Sequence, residues 1–142
     1  MRITGLVVFS LALMALAGRS NAAESVLYSF AGGNDGQQPV SGLIATPNGT
    51  LYGTTPTGGG SGGGCQDSQG CGVVFSLTPP AVTGDPWTEA ILHTFTGNDD
   101  GTNPRASLLF GTNVGTSDTL YGTTQNGGAS NAGTVFRVTT PF

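Results

Sequence analysis

Two stretches of this chain repeat one another in four blocks, taken in the same order. Leu27 to Gly36 (LYSFAGGNDG) aligns without a gap with Leu92 to Gly101 (LHTFTGNDDG). The match runs on through Pro39 and Pro104, then Leu43-Ile44 and Leu108-Leu109. Next come Thr50 to Thr55 and Thr119 to Thr124, both TLYGTT, each followed by a Gly-Gly pair at 58–59 and 127–128. Gly72 to Thr78 (GVVFSLT) then matches Gly133 to Thr139 (GTVFRVT). The offset is 65 in the first block, 69 at TLYGTT and 61 in the last. Copy two therefore carries four extra residues around 112–117, and copy one carries eight extra in a loop holding Cys65 and Cys71. Insertions confined to the spaces between blocks mark the blocks as structural elements and the insertions as surface loops.

The blocks read as β-strands. They are short, rich in aromatic and β-branched residues, and bounded by Asn-Asp-Gly, Pro-Asn-Gly and Gly-Gly turn signals. Val135, Arg137 and Thr139 alternate with Phe136, Val138 and Thr140, so that strand has one apolar and one more polar face. No amphipathic helical period follows residue 23. A four-strand unit recurring every 50 to 65 residues is the size of a propeller blade. The expected fold is all-β, with two blade-like four-stranded antiparallel repeats forming an incomplete or oligomeric β-propeller.

Residues 1–22 read as a signal peptide: Arg2, an apolar run from Gly5 to Ala17, and Ser20-Asn21-Ala22 before a cut at Ala23. The run is too short for a membrane span, which takes about 20 residues. The remainder, 23–142, is expected to be one β-repeat domain, with copy one at 26–78, a linker at 79–90 and copy two at 91–139. It retains Arg105 and Arg137 against eight carboxylates, a net charge of −6, and has no lysine. Nucleic acid and anionic membrane surfaces both require clustered basic residues, so neither is an expected partner. In an exported chain Cys65 and Cys71 are expected to form a local disulfide, added to one copy's loop. A secreted, periplasmic or cell-surface location follows from the leader.

The blocks resemble the GloVer-type (Gloeo/Verruco) tandem repeat of exported bacterial proteins, over roughly 26–78 and 91–139. The resemblance rests on the LYSF start at 27–30, the Asp-Gly turn and downstream Pro at 35–39, and Gly42-Leu43. It rests equally on Asn48-Gly49, LYGTT at 51–55 and 120–124, and Gly-Thr-Val-Phe at 133–136. It implies export, a propeller-like all-β repeat and no catalytic residues. Two copies are too few to close a propeller ring, and nothing after Thr139 supplies copy two with the Leu-x-x-Phe strand that 91–95 supplies to copy one. Three outcomes are open: Val26–Phe30 folds back to complete copy two, the open edge pairs with another chain, or the chain is a fragment of a longer array.

Chemistry-bearing residues are sparse. His93, the only histidine, aligns with Tyr28, which fits a half-exposed packing site better than a general base. No nucleophile elbow accompanies it. Asp35, Asp99 and Asp100 sit in turns, where carboxylates cap their own backbone. Asp67, Asp85, Asp118, Glu24 and Glu89 form no evident acid–base pair. Asp99, Asp100 and Asn103 offer clustered oxygens, the weak calcium candidates, without an established loop pattern. Tyr52 and Tyr121 recur at one repeat position and read as packing residues, while Trp87, in the linker, is the weak ligand candidate. No catalytic residue, metal or cofactor is expected. The leading expectation is an exported, non-catalytic repeat module with a structural or surface-binding role. The second is an exported carbohydrate-active enzyme or lyase of propeller fold.

Overall fold

A computed structural model describes residues 23–60, 64–65, 69–111 and 117–140. The signal-peptide reading and Asp67 lie outside these residues. The described chain is all-β, with one 3-10 turn at Gly33–Asp35. Copy one contributes β1 (Ile44–Ala45), β2 (Leu51–Thr55) and β3 (Val73–Thr78); β4 (Thr88–Thr94) completes a four-stranded antiparallel sheet in the order β1-β2-β3-β4. Copy two forms β5 (Leu109–Phe110), β6 (Thr119–Thr123) and β7 (Val135–Thr139), a three-stranded antiparallel sheet. The expectation of two four-stranded sheets thus holds for the first sheet only. No closed ring is formed by the described residues.

LYGTT builds the middle strand of each sheet, and its glycine has a steric reason. A Cβ on Gly53 would lie 2.6 Å from Phe75 Cζ and 2.7 Å from Leu43 Cδ2. Gly122 meets Phe136 and Leu108 in the same way. The tip of each phenylalanine ring therefore sits against the glycine, where only hydrogen leaves room. The Asp-Gly turns are equally alike. Gly36 and Gly101 adopt φ of 95° and 101°, open to glycine alone among common residues. Each turn is stitched back to the strand end by an isolated bridge, Gln37 with Thr57 and Thr102 with Asn126.

The two sheets are held together by one core. Tyr52 and Val74, with half-buried Ile44, project from one face of copy one. Leu120, Phe136 and Val138 project from the opposite face of copy two, and Phe95 and Leu108 fill between them. Burying each such side chain contributes about 1.5–3 kcal/mol. Polar contacts fix the same interface: Asn103 Nδ2 donates to the Pro56 carbonyl at 2.9 Å, and Thr54 Oγ1 to that of Pro104 at 3.3 Å.

One expectation needs correction here, and one of the three open outcomes is not the one observed. Cys65 and Cys71 are bonded, yet the bridge is more than a loop addition. Cys71 is fully buried in the core between the copies, and its carbonyl accepts the Asn103 N–H at 2.9 Å. Nor does Val26–Phe30 fold back onto copy two. Phe30 packs edge-on against Phe75 at 5.0 Å, and the Tyr28 hydroxyl donates to Asp35 at 2.8 Å. The second apolar cluster explains this placement, because Val73, Phe75 and Leu77 need the cover that Tyr28 and Phe30 provide.

Candidate functional site

The repeat offsets give each residue of the four blocks in copy one a counterpart in copy two, and several of these pairs differ in burial. Val74 is fully buried and Tyr52 is 6% exposed, whereas Val135 is 81% and Tyr121 39% exposed. Half-buried Ile44 corresponds to Leu109, which is 68% exposed. Cross-strand register puts Leu109, Tyr121 and Arg137 side by side on one face of copy two, with Val135 beside Thr123 on that same face. It is the face that copy one buries against copy two, and in copy two no described residue covers it. Exposed apolar surface of this kind, concentrated on one sheet face, marks an interaction site.

The adjoining edge has no partner strand among the described residues. In copy one β4 pairs along the whole of β3, from Val73 opposite Thr94 to Thr78 opposite Thr88. Beside β7 there is instead a trough of about 210 Å³, walled by His93, Asp99, Asp100 and residues 134–138. In copy one the corresponding space is filled by β4. Glu89 of β4 is close enough to Asp35, and to Tyr28, for their charges to interact.

The sequence candidates fall into scaffold positions around this edge. His93 Nε2 lies 3.4 Å from Asp100 Oδ2, and its ring meets Phe95 edge-on at 4.7 Å. Tyr28 makes the same two contacts with Asp35 and Phe30. Asp100 also accepts the Thr96 N–H at 3.0 Å and its hydroxyl at 2.7 Å, as Asp35 accepts the Ala31 N–H. Both aspartates cap their turns. Of the calcium candidates, Asn103 donates its amide to the Pro56 carbonyl. No three His, Cys, Asp or Glu side chains are grouped for a metal among the described residues. Trp87 packs on the Val73–Phe75–Leu77 cluster and walls a shallow hollow of about 610 Å³ with Ser25–Leu27 and Thr83–Pro86. Glu24 and Asp85 are exposed.

Sequence reasoning did not single out Glu89 or the role of Asp118. One Glu89 carboxylate oxygen is buried without a hydrogen bond. Burial first, then the Asp35 charge, pushes its pKa up to about 7. The Asp35 carboxylate, accepting the Tyr28 hydroxyl, pushes Tyr28 up to about 12. Asp118 accepts the Tyr52 hydroxyl at 3.1 Å across the two copies, and burial with this bond raises Tyr52 above its ordinary value. No local pattern marks either residue, since each acquires its partner through the packing of one copy on the other.

The model of the Gloeobacter/Verrucomicrobia repeat matches residues 7–141, and the chain belongs to that family. No curated protein and no solved structure matches the chain. Among the described residues, no helix is long and apolar enough to cross a membrane.

Proposed function

We propose that the chain is an exported, non-catalytic repeat module that works by binding through its sheet surfaces, each sheet acting as a blade of a propeller-type arrangement. The observation that carries this reading is the exposed apolar face of copy two beside a strand edge that no described residue pairs. Its counterpart in copy one is a buried interface. The non-catalytic part is supported by the work that His93 and Asp100 do, which is the turn-closing work of Tyr28 and Asp35. A disulfide and a leader-like start fit a secreted, periplasmic or surface location.

Two measurements test this reading. Incubation with a panel of polysaccharides should give no turnover; turnover abolished by His93→Ala would overturn the non-catalytic assignment and favour a carbohydrate-active enzyme. Intact mass of the protein recovered outside the cytoplasm should correspond to a chain starting at Ala23. Recovery only as uncleaved cytoplasmic protein would overturn export.

A further inference from the structure

The contact between the two copies is heterologous: one face of copy one meets the opposite face of copy two, and a segment of copy two extends copy one's sheet. A contact of this kind leaves its two unlike halves unused at opposite ends of the molecule. Both halves are present here. The acceptor half is the β7 edge with its trough and the face carrying Leu109, Tyr121 and Val135. The donor half is the strap at 23–30 with the groove beneath it, about 370 Å³, which includes exposed Leu43.

The strap is a second version of the segment that already makes this contact. Residues 23–30 read AESVLYSF, and residues 88–95, which contain β4, read TEAILHTF. The two segments also sit alike on their own sheets. Phe30 meets Phe75 at 5.0 Å and 72°, and Phe95 meets Phe136 at 5.0 Å and 69°. Residues 88–95 show that such a segment can hold its own sheet through the phenylalanine while its backbone pairs with a neighbouring sheet. The strap holds its own sheet in the same way, but Val26–Phe30 forms no ladder with any described strand. It contains no proline, so its amides are free of that obstacle to pairing.

We infer that the acceptor half of one molecule binds the donor half of a second copy of this chain, residues 23–29 adding as a fourth, antiparallel strand to β7. This rests on the binding-module reading above and names its partner; the chemistry is β-strand addition with an apolar face-to-face contact. The strap need not leave its own sheet, so the contact is intermolecular. Repetition of the same step builds a ring if the rotation closes and a filament if it does not. The register follows from β3 and β4. Val74 opposite His93 becomes Val135 opposite Tyr28 of the second copy, and Ser76 opposite Ala90 becomes Arg137 opposite Ser25. That register sets Glu24 opposite Val138, as Glu89 lies opposite Leu77.

The test is disulfide cross-linking between two singly substituted, exported chains, Ser25→Cys and Arg137→Cys. Both positions are exposed, so neither substitution should disturb the fold. Oxidation of the mixture should give a linked heterodimer that neither chain gives alone. A second pair, Tyr28→Cys with Val135→Cys, should link as well, and the out-of-register pair Ser25→Cys with Val135→Cys should link much less. Adding Val135→Arg should weaken association about tenfold or more, the size of a lost interface anchor. Self-linking of Arg137→Cys chains would show β7 pairing with β7 and overturn the proposal. An unlinked mixture of folded chains, judged by an unchanged far-ultraviolet spectrum, would overturn it too. That failure would leave the non-catalytic reading untouched, since turnover alone tests it.

Discussion

Val74 and Val135 occupy one position of the repeat, yet Val74 lies in the middle of the core and Val135 faces solvent. The same split divides Tyr52 from Tyr121 and Ile44 from Leu109. Nothing local explains it, because the flanking residues are nearly the same in both copies and both strands form with the same register to their neighbours. What differs is the next sheet. Copy one has copy two against its face and β4 along its edge; copy two has neither among the described residues. The comparison teaches that this repeat does not bury its own surface. It fits surface for the following copy, and a lone unit is left half covered, as expected of stacked repeats.

The comparison can be broken most severely at the valines. Val74→Arg should cost more than about 4 kcal/mol, a buried unpaired charge being among the largest single-residue penalties, and should leave the chain unfolded or nearly so. Val135→Arg should stay within about 0.5 kcal/mol in a dilute chain. Urea denaturation of both variants checks the contrast, and equal effects would abolish it.

The aromatic pairs sharpen it at smaller scale. Phe75→Ala should cost about 4 kcal/mol, since the ring is fully buried under Phe30 and against Gly53. Phe136→Ala should cost less in the dilute chain, its ring being only half-buried. Denaturation midpoints at one low protein concentration separate the two. Smaller again is the hydroxyl of Tyr52. Tyr52→Phe removes the bond to Asp118 across the copies and should cost about 1 kcal/mol, while Tyr121→Phe should have no measurable effect in the dilute chain.

A further effect is set by pH. Glu89 titrates near 7 when folded, above its ordinary value of 4.5. The folded state therefore holds this proton more tightly than the unfolded state. The stability it adds is complete below pH 4.5, declines between 4.5 and 7, and is gone above 7. Glu89→Gln should flatten this part of the profile of melting temperature against pH. An unchanged profile would mean that the carboxyl is solvated in the folded chain.

Much of the fold was legible in the sequence because the repeat offsets isolate the strands from their loops. TLYGTT, the Phe-bearing last block and the Asp-Gly turns fall where the blocks place them. The strap was not legible. AESVLYSF and TEAILHTF predict the same element, yet only the second finds an edge to pair with, and strand formation depends on that partner more than on local preference. Cys71 was misread for a similar reason. Its loop is an insertion by alignment, but the loop's end turns into the space between the copies. At the candidate site, alignment paired Val74 with Val135 correctly and carried no hint that one would be covered and the other bare.

The most direct measurement is sedimentation equilibrium of the chain across a wide concentration range, beside its Val135→Arg variant. The average mass should rise with concentration for the wild-type chain, and for the variant only at concentrations about tenfold higher or above. A single-chain mass for both at every concentration would contradict strand addition between copies.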